Sequence, residues 1–228
     1  MQIQFTGTTI DITQDVDVYD LDLFETQKDT IQAIHAQNKH VICYINAGAW
    51  EEWSPDADQY PEIVLGKDYK GWPGEKWIDI RKIDLLKPIL IARLNLCKQK
   101  GFDGVEPDNL DGYQTETGFP LTEQDQLKFN RWLADQAHTY GLSIGLKNDP
   151  DQMLELEPDF DFVLMEDCFQ YDWCDLGIPF LKSNKSVFMV EYTDQIKSLT
   201  PYCLTAEKLG LSLFPKNREL DAFRITCP

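Results

Sequence analysis

The sequence predicts an α/β fold, a (β/α)8 TIM barrel, on three observations. Eight short apolar or β-branched runs recur along the 228 residues, segments of helical periodicity separate most of them, and several runs end in carboxylates. Strands alternating with helices pair in parallel, and eight such units are what closure into a barrel requires. A doubly wound open sheet shows the same alternation, but it carries a Gly-rich phosphate turn after its first strand. Phe5-Thr6-Gly7-Thr8-Thr9 is no such turn.

The elements follow in order. The first strand is expected over 3–5 and the second over 16–19, the latter bringing Asp17, Asp20 and Asp22 to its end. A helix over 26–37 comes next, and Asp22 is placed to cap it as readily as to reach the barrel mouth. The third strand, 41–45, leads into a segment over 50–81 that sets Trp50, Trp53, Trp72 and Trp77 among Pro55, Pro61, Pro73 and Gly74. That is too long and irregular for a routine strand-to-helix connection, which marks it as a binding loop. A helix over 85–100, closed by Gly101, precedes the fourth strand at 104–105, and a helix over 123–140, closed by Gly141, precedes the fifth at 142–146. The sixth strand is 162–165, the seventh 187–190 and the eighth 211–214, with a helix over 194–209 closed by Gly210 between the last two. No repeat, low-complexity tract or linker interrupts the series, so residues 1–228 are expected to form one domain.

Thirty-nine acids against 21 bases give a formal charge of −18, which repels nucleic acid and anionic membranes. No apolar run approaches the roughly 18 residues a membrane span needs, and residues 1–5 lack the regions of a signal peptide, so secretion implies a leader absent from this sequence. The six cysteines contain no CxxC pair and only three histidines accompany them, which argues against zinc. Cys168 and Cys174 are close enough to staple one loop, and Cys203 with Cys227 is placed to tie down the C-terminal tail; such bridges imply an extracellular protein. Cys43, in an apolar strand, and Cys97, on a helix face, are expected as buried free thiols. Nothing speaks for oligomerisation, so a monomer is expected.

The chemistry lies at the strand ends. Gly104-Val105-Glu106-Pro107-Asp108-Asn109-Leu110-Asp111 and Phe162-Val163-Leu164-Met165-Glu166-Asp167 are apolar runs ending in acids, which a buried strand has no use for. Side chains at the C-terminal ends of parallel barrel strands converge on one face. Glu106 and Asp108, two apart, share a side of their strand, while Val105 and Pro107 face the helix layer. Lys147 and Asn148 end the fifth strand, and Glu191 and Tyr192 end the seventh. Paired carboxylates without a catalytic His, a Ser elbow or a metal signature fit glycoside hydrolysis, and Trp53, Trp72, Phe169 and Tyr171 offer flat faces for sugar rings. A metal-dependent deacetylase is disfavoured, because His35, His40 and His138 fall in or beside helical segments away from strand ends.

Longer motifs carry a family resemblance: Val18-Tyr19-Asp20-Leu21-Asp22-Leu23-Phe24, Val41-Ile42-Cys43-Tyr44-Ile45-Asn46-Ala47-Gly48, Gly71-Trp72-Pro73-Gly74-Glu75-Lys76-Trp77-Ile78-Asp79-Ile80-Arg81, Pro107-Asp108-Asn109, Gly145-Leu146-Lys147-Asn148 and Glu166-Asp167-Cys168-Phe169. The chain resembles glycoside hydrolase family 114, the endo-α-1,4-polygalactosaminidases, which also resemble the hydrolase domain of the Pel polysaccharide enzyme. The likeness runs to Arg224. It implies a secreted, cofactor-independent (β/α)8 barrel that cuts internal α-1,4 bonds of galactosamine-rich polysaccharide, with catalytic carboxylates at Asp108 and Glu166. This chain has Glu106 where the family more often has Asp, and Asn46 where Ser is commoner.

Both lines meet on substrate charge, since an acidic mouth attracts the ammonium of de-N-acetylated galactosamine. Asp20, Glu106, Asp111 and Glu191 are the expected ammonium or hydroxyl partners, and Tyr44, Trp72, Asn109, Lys147, Phe169, Tyr171 and Tyr192 complete the expected substrate-binding set. The expected mechanism is a retaining double displacement with Asp108 as nucleophile, kept ionised by Lys147, and Glu166 as acid/base, kept protonated by like charge from Asp167. A catalytically idle sugar-binding barrel for cationic polymers is the alternative.

Overall fold

A computed structural model of the chain describes residues 1–7 and 9–227; Thr8, part of the Phe5–Thr9 sequence considered above, and Pro228 lie outside the described residues. Eight strands pair in parallel in one curled sheet: β1 (Gln2–Gln4), β2 (Val18–Asp22), β3 (His40–Asn46), β7 (Gly104–Asp108), β8 (Ser143–Lys147), β9 (Phe162–Glu166), β10 (Ser186–Val190) and β11 (Ser212–Leu213), in that spatial order. Between β3 and β7 the chain adds β4 (Ala49–Glu51), β5 (Leu65–Asp68) and β6 (Glu75–Ile78), an antiparallel sheet ordered β4-β6-β5. The helices on the outside are α1 (Lys28–His35), α2 (Ile83–Lys100), α3 (Glu123–Thr139), α4 (Met153–Leu156), α5 (Ile178–Lys182) and α6 (Thr200–Leu209).

All eight expected strands are present, and their alternation sorts the core into two layers. Outward residues such as Leu21, Cys43, Val105, Ile144 and Val163 pack against the helices, while Ile3, Ile42, Phe162, Leu164, Phe188 and Val190 fill the barrel interior. The inward positions change character along each strand: Ile42, Tyr44, Asn46 on β3; Gly104, Glu106, Asp108 on β7; Phe162, Leu164, Glu166 on β9. Apolar side chains thus plug one end and polar ones open the other.

The ladder is not continuous all the way round. Among the described residues β11 and β1 share no pairing, and side chains and the C-terminal tail close the seam: Gln2 Nε2 donates to Ala222 O at 3.1 Å, Phe5 N to Leu220 O at 2.9 Å and Arg224 Nε to Met1 O at 3.0 Å.

Three expectations are corrected. The helix expected over 194–209 begins at Thr200, where Pro201 suits the first turn and could not continue a helix from upstream. The 50–81 segment is organised by β4, β5 and β6 rather than being irregular. Cys43 and Cys97 are bonded to each other, with Cα atoms 6.0 Å apart: Cys43 faces outward from β3 onto the α2 face that carries Cys97. The Cys168–Cys174 and Cys203–Cys227 bridges are as expected, and no described cysteine is free.

Candidate active site

Three neighbouring strands end in the same way. Asp108, Lys147 and Glu166 are the last residues of β7, β8 and β9, and the next residues, Asn109, Asn148 and Asp167, have φ of 63°, 51° and 53°. Asn and Asp tolerate this left-handed conformation better than other non-Gly residues, and it swings the chain off the strand so that the last side chain stands in the mouth. Gly48 makes room beside the first of these turns: a Cβ there would lie 1.7 Å from Asn109 O.

Lys147 is the centre of the arrangement. Its Nζ lies 3.0 Å from Asp108 Oδ1, 3.2 Å from Glu166 Oε2 and 3.1 Å from Glu106 Oε1. Burial opposes the charge on this lysine, but Asp108, Glu106 and Glu166 outweigh burial and hold its pKa well above the ordinary lysine value. Asp108 accepts further bonds from Asn109 N to Oδ1 at 2.9 Å and from Tyr44 Oη to Oδ2 at 3.1 Å. Glu166 Oε1 accepts from Tyr192 Oη, and Asn148 Nδ2 approaches Oε2 at 3.4 Å. Asp167, expected to act on Glu166 by like charge, is itself paired with Arg218 at 3.3 Å, and the Arg218 guanidinium stacks 4.3 Å from the Tyr192 ring centre.

This cluster floors a cavity of about 570 Å³, a size suited to small-molecule binding. One wall comes from the β4–β6 sheet, with Glu51, Trp53, Tyr69, Trp72 and Glu75; another comes from Asp22, Phe24 and Tyr44. Nine carboxylates line it against the cations of Lys147 and Arg218. Burial raises Glu75 to about 8, with Glu51 and Asp108 adding to the effect, and raises Asp111 to about 6, with Asp108 adding. Asn46 joins the two sides: its Nδ2 faces Glu51 Oε1 at 3.2 Å and Glu75 Oε2 at 3.3 Å, and its Oδ1 accepts from Asn109 Nδ2 at 2.9 Å.

The structure brings Asp108, Glu166, Tyr44, Trp72, Asn109, Asp111, Lys147 and Tyr192 to this cavity. Glu106 and Asp20 lie buried outside its lining. Glu191 also lies outside it, and its Oε1 accepts from Phe169 N at 2.7 Å, bracing the loop after β9. The Phe169 ring packs 4.0 Å from that of Tyr202, and Tyr171 is exposed away from the cavity. Asp17 is exposed ahead of β2, on the opposite side of the barrel from the mouth, and Asp22 accepts from Phe24 N and Glu25 N rather than capping α1, which starts at Lys28. His40 is the first residue of β3 rather than a helix neighbour; it and His35 approach Asp103, at 3.6 and 3.0 Å, and His138 pairs with Asp161, away from the cavity.

Sequence reasoning did not single out Glu51, Tyr69, Glu75 or Arg218 as site residues. Glu51 and Glu75 flank the tryptophan-rich segment in antiparallel register, a pairing that their 24-residue separation hides. The alternation of Glu51 with Trp53, and of Tyr69 with the 71–81 motif, is the only local signal they leave.

Comparison with known proteins bears on the family and the fold. A galactosamine complex of Ega3 from Aspergillus fumigatus is 35% identical over 99% of this chain and 94% of that one, with a TM-score of 0.92. The glycoside hydrolase domain of PelA from Pseudomonas aeruginosa is 13% identical over 98% and 97% of the two chains, with a TM-score of 0.75, a likeness of fold alone. No match is found among curated proteins. The family model described as glycoside-hydrolase family GH114 matches residues 1–228, and the chain belongs to that family.

Proposed function

We propose that this protein hydrolyses internal α-1,4 bonds of galactosamine-rich polysaccharide by a retaining double displacement, with Asp108 as nucleophile and Glu166 as acid/base. The observation that carries the reading is the single ammonium of Lys147 touching both carboxylates at the cavity floor. A shared nitrogen at 3.0 and 3.2 Å keeps their facing oxygens within about 6.2 Å of each other, which supports the closer carboxyl spacing of retaining enzymes over the wider spacing of inverting ones. Asp108 attacks the anomeric carbon while the glycosidic C–O bond breaks and Glu166 protonates the leaving oxygen. Glu166 then takes a proton from water, which attacks the same carbon and frees Asp108. The similarity to Ega3, a protein solved with galactosamine, and the acid-rich walls support a cationic amino-sugar polymer as substrate. Trp53 and Trp72, both half exposed on the rim, supply stacking faces. Three disulfides favour an extracellular setting, and the 228 residues act as one domain.

The test is product release from de-N-acetylated α-1,4-galactosamine oligomers, with the anomeric configuration of the first product read by NMR. Asp108→Asn and Glu166→Gln should each lower turnover by about 100- to 10,000-fold. Absence of hydrolysis with oligomer binding retained would instead favour a sugar-binding barrel, and an inverted product would remove the double displacement.

A further inference from the structure

Beneath Lys147 the barrel holds two more carboxyls that the hydrolytic steps do not use. Asp20 on β2 and Glu106 on β7 are 0% and 1% exposed. Inward residues of alternate strands meet in one layer of a barrel, and these two strands flank β3. The two carboxyls lie within hydrogen-bonding reach of each other. Apart from the Lys147 contact to Glu106 Oε1, none of their four oxygens has a donor among the described residues. Two ionised carboxylates in that position would face each other with no hydrogen between them and out of reach of bulk solvent, an arrangement too costly to persist.

We infer that Asp20 and Glu106 share one proton and act as a positioning pair for Lys147, and through it for Asp108 and Glu166. The inference rests on the reading that those two carboxylates perform the chemistry. With the proton on Asp20, its hydroxyl donates to Glu106, Glu106 stays ionised against Lys147, and three of the four oxygens gain a partner. The charged and titratable groups facing the pair are Tyr44 from β3, Asp108 from β7, Lys147 from β8 and Glu166 from β9, while β1, β10 and β11 contain no charged residue. Burial raises Asp20 well above the usual carboxylate range with Glu106 adding to it, and burial raises Glu106 to about 7 although Lys147 opposes. The pair therefore titrates as a unit, keeping a proton where isolated carboxyls would have lost both.

The pair also has work during the cycle. When Asp108 bonds to the sugar it loses its negative charge, and Glu166, having given up its proton, becomes the anion in its place beside Lys147. Glu106 is the anion that stays throughout, so Lys147 remains in register to receive Asp108 when water releases it.

Two measurements test this. The first needs no substrate: carboxyl 13C NMR of the labelled full chain, titrated from about pH 4 to about pH 9. One protonated carboxyl resonance present at neutral pH should vanish in Asp20→Asn, and Glu106→Gln should shift the titration of Asp20. An unchanged set of protonated resonances in Asp20→Asn would overturn the shared proton. The second is kinetic. Glu106→Gln should lower kcat by about a hundredfold with KM little altered, and should displace the acid limb of the kcat profile to lower pH. Glu106→Asp, which keeps the charge, should recover part of the loss. Asp20→Asn, whose amide still donates to Glu106, should lose less than Asp20→Leu, which donates nothing. Equal losses in those two variants, or a pH profile that Glu106→Gln leaves in place, would reduce the pair to a packing role. If the unmodified protein cleaves no oligomer, the glycosidase reading fails while the NMR titration still decides the proton.

Discussion

Two lysines are buried inside this barrel and do opposite things. Lys147, 5% exposed, sits among Glu106, Asp108 and Glu166; Lys216, 0% exposed, reaches Gln2 Oε1 at 3.3 Å and the carbonyl oxygens of Asp221 and Phe223. Burial pulls both pKa values down. Around Lys147 the three carboxylates reverse that pull, whereas Lys216 has only neutral acceptors at bonding distance and falls to about 8, Asp221 countering burial only in part. Burial alone therefore does not set what an interior lysine does. A charge surrounded by anions organises a reactive site, and one surrounded by carbonyls fastens a seam.

The largest expected effect comes from breaking the charged half of this comparison. Lys147→Met leaves three carboxylates without their cation, which should cost about 3–5 kcal/mol of stability and remove hydrolysis. Chemical denaturation with an activity assay would check both, and wild-type turnover in a folded variant would refute the site assignment. On the seam side, replacing Cys203 and Cys227 by Ser frees the tail that Lys216 holds. Closing a 24-residue loop is worth about 3 kcal/mol, seen as a lower unfolding midpoint with turnover preserved. Lys216→Met should be milder, about 2 kcal/mol, because it abandons acceptors but also removes a buried charge. Hydrogen exchange should quicken across 217–225 and stay unchanged along β7 to β9.

The smallest effect separates the two lysines by pH. The folded-state pKa of Lys216, about 8, lies below its unfolded value near 10.4, so the unfolded chain binds more protons between them and the Lys216 contribution grows as pH rises through that window. Lys147 is shifted the other way, so its contribution is complete below about 10.4 and is lost only as pH climbs through its higher folded value. The gap in melting temperature between the wild type and Lys216→Met should widen from about pH 7 to about pH 10. The gap to Lys147→Met should hold steady over that range, and parallel behaviour would mean the two environments are not distinct.

Part of this contrast was legible in the sequence. Alternation placed Glu106 and Asp108 on one side of β7 and separated them from Val105, and the acids ending β7 and β9 marked the reactive end of the barrel. Lys216 left no such mark, because it follows the two-residue strand β11 and its partners come from Gln2 and from backbone carbonyls of the tail. Phe169, Tyr171 and Glu191 illustrate the converse. Each follows a strand end closely in sequence, yet the turn forced by the Cys168–Cys174 bridge and by Glu191 bonding Phe169 N carries the two aromatics off the cavity.

The sequence by itself determined the eight strands, the helices that follow most of them, the face each side chain takes and the acids that end β7 and β9. All of these are local, resting on periods of two and 3.6 residues and on where an apolar run stops. Only the tertiary structure decided that Lys147 would meet three carboxylates from two other strands, that Cys43 would find Cys97, that the β4–β6 sheet would bring Glu51 and Glu75 to the wall, and that Asp20 would lie against Glu106. Those meetings depend on how strand register and barrel closure stack inward residues from different strands into one layer, a property of the closed sheet that no single strand's pattern contains.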